Sequence, residues 1–255
     1  MRRLAVVVAA YDERENVEPL VRRLQAALLP LEDWRWQAIF VVEGRDGTRE
    51  VLERLAGELP QLQVLYHEEP SGIGAAFRRG FAAVPPDVDV VVTMDADLNH
   101  RPEELPRLLD SAARSGCDLL IGSRFVAGSA VEGTPAWKRA LSWCGNAVMR
   151  HLFRLEVGDK TSGFRVYRAA ALRGLSFVND GFAFLPELLL QARAAGLVVR
   201  EEPIHFVFRR RGRSKMAILG TSVSYLALLR PWRPRPRAMP EPRASGASSG
   251  AASRS

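Results

Sequence analysis

Short apolar runs recur through the first half of the chain, at residues 4–10, 37–42, 63–67, 88–94 and 118–122. Between them, residues 17–28, 49–59, 74–83 and 102–114 place apolar side chains three and four positions apart, the spacing of one helix face. Strands alternating with helices predict an α/β sandwich with a mostly parallel central sheet flanked by helices. In such folds ligands bind beyond the carboxyl ends of the strands, and polar residues gather there. Tyr11-Asp12-Glu13 follows the first run, Glu43-Gly44-Arg45-Asp46-Gly47-Thr48 the second and Asp95-Ala96-Asp97 the fourth. Past Gly122 the alternation stops. The pattern there predicts a helix over 135–152, a strand over 164–167, a helix over 185–195 and a strand over 197–208, with no internal repeat.

With 255 residues, 47% hydrophobic and 25% charged, the chain has an ordinary globular composition, which excludes collagen-like, coiled-coil and wholly disordered classes. Cys117 and Cys144 are too few for a disulfide scaffold or a zinc cluster and read as buried apolar fillers. The first apolar run is followed at once by Asp12, Glu13, Arg14 and Glu15, so it reads as a strand rather than a signal peptide. No run approaches the length of a spanning helix. The expectation is a cytoplasmic protein, at most peripheral on the inner face of the membrane.

The formal charge of +7 suggests nucleic acid until it is divided along the chain. Residues 230–255 carry six Arg against one Glu, together with five prolines and an Ala/Ser/Gly run. That segment is expected to be a disordered basic tail, either simply solvated or a tether to anionic lipid, following a catalytic unit over residues 1–229. No aromatic platform interleaves the arginines, so nucleic acid is not an expected partner.

The sharpest chemical signal is Val90-Val91-Val92-Thr93-Met94-Asp95-Ala96-Asp97-Leu98-Asn99-His100, a buried strand ending in carboxylates at i and i+2. Period-two geometry allows both to point the same way, and two such charges call for a hard cation, Mg²⁺ or Mn²⁺. The alternative is a cap or turn before the helix that starts near Pro102.

Together with Val7-Val8-Ala9-Ala10-Tyr11-Asp12-Glu13-Arg14-Glu15-Asn16, Gly122-Ser123-Arg124-Phe125, Ser162-Gly163-Phe164-Arg165-Val166-Tyr167 and Arg209-Arg210-Arg211-Gly212-Arg213-Ser214-Lys215, in that order, this motif resembles the family-2 glycosyltransferases. Within them it is most similar to the dolichol- or polyprenol-phosphate mannosyltransferase branch, over residues 4 to about 229. The resemblance implies the A-type glycosyltransferase (GT-A) sandwich and a metal-dependent, inverting transfer of a hexose, mannose from GDP-mannose, to a polyprenyl phosphate. It further implies that Ala10, Tyr11 and Glu13 line the base and ribose. Asp95, Asp97 and Asn99 surround the divalent ion. Arg124 and Arg139, with Ser142, bind the acceptor phosphate. Arg209, Ser214 and Lys215 close over the diphosphate. Charge logic agrees, because guanidinium groups bind phosphate bidentately and repel one another otherwise. A salt bridge is the competing role for Arg124, and an exposed helix charge that for Arg139.

The second strand departs from the family pattern Val-Asp-Asp-Gly-Ser-x-Asp-Gly-Thr: Val42 and Glu43 stand where two aspartates are usual, and one residue is missing. Glu43 is left to accept from a base N–H. Glu187 is open between a base, a positioning residue and a structural carboxylate, and Phe177, Phe182 and Phe184 are expected in the core. The apolar stretch 216–229 either packs on the domain or meets a membrane or a membrane-anchored partner subunit. The competing functions are a family-2 transferase using UDP-glucose or a hydroxyl acceptor, and a non-catalytic relic of the fold.

Overall fold

A computed structural model describes residues 1–208, apart from the side chains of Lys138 and Leu141. Its elements are β1 (Arg2–Tyr11), α1 (Arg14–Leu28), β2 (Trp34–Glu43), α2 (Thr48–Glu58), β3 (Leu62–His67), α3 (Ile73–Ala82), β4 (Val90–Asp95), α4 (Leu105–Ser115), β5 (Leu119–Ser123), β6 (Ala130–Glu132), α5 (Ala136–Phe153), β7 (Arg165–Arg168), α6 (Ala169–Arg173), α7 (Phe184–Ala194), β8 (Val199–Pro203) and β9 (His205–Val207). A 3₁₀ turn at Pro102–Glu104 leads into α4. The proposed boundary at 229/230, the stretch 216–229, the tail, and Arg209, Ser214 and Lys215 lie outside the described residues.

Seven strands form the main sheet in the order β3-β2-β1-β4-β7-β5-β8. β1 is buried on both faces and divides its side chains by alternation. Leu4, Val6, Val8 and Ala10 join one core with Val17, Leu20 and Leu24 of α1, Leu52 and Leu55 of α2 and Leu108 of α4. Ala5 and Val7 join the other with Phe77 of α3, Leu172 of α6 and Leu188 of α7. The sandwich therefore follows from the period-two pattern: each strand supplies both layers.

Three features differ from the sequence pattern. The strand predicted near residues 164–167 forms as β7, but it inserts between β4 and β5 antiparallel to both. The strand predicted over 197–208 is two strands. β8 pairs with β5, and β9 leaves to pair with β6 in a separate two-stranded sheet. The switch falls at Pro203-Ile204, where proline has no N–H for the ladder. Ile204 then bridges the two sheets, donating its N–H to the Ser123 carbonyl and accepting from Ala130 N, both at 3.1 Å. Finally, Cys117 is buried as expected but Cys144 is exposed on α5. Phe177 and Phe184 are core residues, and Phe182 is half-buried.

Candidate active site

Parallel register brings the strand ends together: Tyr11 lies opposite Glu43, Ala9 opposite Asp95 and Glu43 opposite His67. Asp95 ends β4 with its carboxylate partly open to solvent. Asp97 follows in a tight turn, where Asn99 donates its backbone N–H to Asp97 Oδ1 at 3.0 Å and its amide to Oδ2. Closing that turn holds the buried Leu98 at φ +62°, left-handed backbone that costs a side-chain-bearing residue about 1–2 kcal/mol. Thr93 Oγ1 donates to the Gly163 carbonyl at 2.7 Å and so draws Gly163 over Asp95. A Cβ on Gly163 would lie 3.1 Å from Asp95 Oδ1, so glycine leaves that carboxylate room for a ligand.

Burial, and then the neighbouring charges of Asp95 and Glu13, push the Asp97 carboxyl up to about 7, while the Asn99 N–H pulls the other way. A cation would remove both penalties, and two carboxylates suit a hard divalent ion. Among the described residues no three His, Cys, Asp or Glu side chains form a metal cage. The two carboxylates are hard oxygen donors, and an ion held by them would draw its remaining oxygens from water and phosphate. Asn99 offers both its backbone N–H and its amide N–H to Asp97, which leaves its side-chain oxygen outside these two bonds. His100 is buried between these groups, its Nδ1 3.6 Å from Asp95 Oδ2, and burial holds it below the usual histidine range.

The residues expected at the base and ribose divide. Tyr11 is 39% exposed at the strand edge. Glu13 accepts from the Asn16 amide at 2.6 Å and donates its N–H to Thr48 Oγ1 at 2.8 Å, which ties the loop after β1 to the start of α2. The methyl of Ala10 belongs to the core, leaving its backbone at the edge. Glu43 is 4% exposed and accepts from Ser71 N at 3.1 Å, Ser71 Oγ and Arg79 Nη1 at 2.9 Å. Its carboxylate thus anchors the loop before α3. Neither Ser71 nor Arg79 was singled out from sequence, because nothing in a serine or a helical arginine marks its partner.

Beyond the end of β5, a cavity of about 500 Å³ is lined by Arg124, Arg139, Ser142, Trp143, Thr134 and Phe206 among others. The three residues expected at the acceptor phosphate thus meet in one place. Arg124 is also ion-paired, as the competing role foresaw: Nε donates to Asp159 Oδ2 at 2.7 Å and Nη2 to Oδ1 at 2.8 Å and to Thr161 Oγ1 at 2.8 Å. Its guanidinium lies over the rings of Phe125 and Phe206, 5.5 and 5.3 Å from their centroids. Burial acts to raise the Asp159 carboxyl, but the charge and hydrogen bonds of Arg124 outweigh it and hold the group below the usual range. Asn146, on α5, accepts from Lys160 N at 2.8 Å and donates to the Ser142 carbonyl at 2.9 Å, linking the helix that carries Arg139 to the loop that holds Arg124. Phe206 joins the two halves, since its ring meets His100 edge-on at 5.7 Å.

Glu187 accepts from Val178 N at 3.0 Å, Asn179 N at 3.1 Å and the Asn179 amide. Of its three open roles, the geometry favours holding the 178–179 turn. That turn's neighbour Asp180 accepts from Gly74 N at 2.6 Å, at the start of α3.

Residues 5–175 match the family model described as Glycosyl transferase family 2. The chain belongs to that family. It is a glycosyltransferase with the GT-A fold. It is 34% identical to the undecaprenyl-phosphate mannosyltransferase of Micrococcus luteus, over 87% of this chain and 91% of that one. It is 38% identical to the polyprenol monophosphomannose synthase of Mycolicibacterium smegmatis, over 85% and 82%. The dolichol-phosphate mannosyltransferase of Pyrococcus furiosus is 34% identical over 84% of this chain and 59% of its own length. Among solved structures, glucosyl-3-phosphoglycerate synthase from Mycobacterium tuberculosis, in complex with Mn²⁺, UDP and phosphoglyceric acid, superposes with a TM-score of 0.65 at 23% identity over 89% of this chain and 77% of that one. At that identity the likeness concerns the fold. No described helix of this glycosyltransferase is long and apolar enough to cross a membrane.

Proposed function

We propose that this glycosyltransferase moves mannose from GDP-mannose to a polyprenyl phosphate, with inversion at the anomeric carbon. The observation that carries the reading is the cavity where Arg124, Arg139 and Ser142 meet, across His100 and Phe206 from the Asp95–Asp97 pair. The names of the mannosyltransferase relatives support the sugar and the acceptor class.

A lipid monophosphate has a second pKa near 6 and arrives largely ionised, so no general base is needed. Arg139 and Arg124 hold its oxygens, and the Ser142 hydroxyl donates a further hydrogen bond. One phosphate oxygen bonds the anomeric carbon as the bond to the diphosphate breaks and its electron pair leaves with GDP. A single in-line displacement inverts configuration. Asp95 and Asp97 would hold Mg²⁺ or Mn²⁺, whose charge, when bound, offsets that of the diphosphate. Arg209, Ser214 and Lys215, which follow β9 in the chain, are proposed to cover the diphosphate. Exposed Trp137, Val148 and Leu152 share one face of α5 and support docking of that face at a membrane surface, where tryptophan is favoured.

The test is incubation with Mg²⁺ or Mn²⁺, a short-chain polyprenyl phosphate and, separately, radiolabelled GDP-mannose or UDP-glucose. Label entering the organic phase from GDP-mannose alone is the expected result. Transfer only to a hydroxyl acceptor overturns the lipid-phosphate assignment, and transfer from UDP-glucose alone overturns the donor.

A further inference from the structure

β8 reads Val199-Arg200-Glu201-Glu202-Pro203, and strand alternation sends its two glutamates to opposite faces. Glu202 accepts from Arg107 Nη1 at 2.8 Å and Ser111 Oγ at 2.7 Å, so it fastens α4. Glu201, paired in register with Ile121 of β5, turns to the loop between α5 and β7. One oxygen accepts from Gly158 N at 2.6 Å and the other from Asp159 N at 2.8 Å. A Cβ on Gly158 would lie 3.3 Å from Glu201 Oε1, so glycine permits this close approach. The result is a continuous set of contacts: the Glu201 carboxylate fixes the Asp159 backbone, the fully buried Asp159 carboxylate fixes Arg124, and Arg124 lines the cavity.

We propose that Glu201 is a positioning residue for phosphate binding, setting the orientation of Arg124 through Asp159 without touching the ligand itself. This rests on the assignment of the cavity to the acceptor phosphate. The physical reason is charge balance. An anion entering the cavity competes with Asp159 for the Arg124 guanidinium, and a loop held only by its own backbone could follow the arginine or let it turn away. Two N–H groups clamped by one carboxylate remove that freedom, so the arginine meets the phosphate in the orientation already set.

The experiment is calorimetric titration of the full chain with a short-chain isoprenyl phosphate, followed by steady-state kinetics with both substrates. Glu201→Ala is expected to weaken isoprenyl phosphate binding and raise its KM by about tenfold, leaving the KM of the nucleotide sugar within about twofold. Glu201→Gln keeps one acceptor oxygen and should recover part of the loss. Arg139→Ala reports on the cavity independently, since Arg139 is outside the Glu201 contacts. If Arg139→Ala weakens binding and Glu201→Ala does not, the positioning role is overturned and the cavity assignment stands. An equal rise in both KM values after Glu201→Ala also overturns it. If the wild-type protein does not bind isoprenyl phosphate, or binds it undiminished after Arg139→Ala, the cavity assignment falls, and this role for Glu201 falls with it.

Discussion

On the proposed donor side, the carboxylates of Asp95 and Asp97 leave the end of one buried strand, β4. On the proposed acceptor side, Arg124 is held by Asp159, 35 residues further along, and shares its cavity with a helix, α5, that intervenes in the chain. The first arrangement is local. Strand β4 ends, a two-residue step follows, and both charges are in place before any long-range contact is considered. The second is assembled from four separate segments, and the Arg124–Asp159 ion pair cancels one of the two arginine charges that line it. The difference implies different sensitivities: the carboxylate pair is tuned by charge and protonation, and the cavity by the geometry of its supports.

The largest effect should come from Asp97→Asn. Removing one of the two charges proposed to hold the cation should lower turnover by roughly 10²–10³-fold, while isoprenyl phosphate binding stays unchanged. Because the carboxylate of Asp97 is repelled by Asp95 and Glu13, the same substitution should leave the metal-free melting temperature equal or higher. A drop in melting temperature matching the loss of turnover would make Asp97 a structural residue and erase the contrast between the sides.

The next effect concerns pH. With the Asp97 carboxyl raised to about 7, a cation must displace a proton below that point, so Mn²⁺ affinity measured by calorimetry should fall roughly tenfold from pH 8 to pH 6. The linkage sign for folding runs the opposite way. A carboxyl raised in the folded state binds its proton more tightly there than in the unfolded chain, so metal-free stability falls as pH rises from about 4 through 7. Denaturant titrations across that window check it, and Asp97→Asn should flatten the trend. A metal affinity independent of pH would place the ion elsewhere.

The smallest effect on catalysis is expected at Glu187. Glu187→Gln should keep kcat within about twofold while costing roughly 1–2 kcal/mol of stability, the scale of weakened buried hydrogen bonds. Loss of turnover with an unshifted melting temperature would instead make this carboxylate a base and restore the role that its contacts with Val178 and Asn179 argue against.

Much of this was legible in the amino-acid order. The alternation that buries Leu4, Val6 and Val8 on one face and Ala5 and Val7 on the other announced a sheet covered twice, and the position of Asp95 and Asp97 at the end of such a run announced the edge at which they sit. What local pattern could not give was pairing direction and partnership. Nothing in Arg165-Val166-Tyr167-Arg168 marks the direction of β7, and only the slot between β4 and β5 makes it antiparallel. Glu43 looked available to read a base until Ser71 and Arg79 closed on it.

The sequence by itself determined the layers, the strand ends and the clustering of acidic residues at one edge, because those depend on periodicity and on the burial that each residue type demands. The tertiary structure decided which charge answers which: Asp159 for Arg124, Glu201 for the Asp159 backbone, Asn99 as donor to Asp97. Such choices are made by segments distant in the chain that meet in space, and a side chain carries no mark of its partner until the fold brings the two within hydrogen-bond reach.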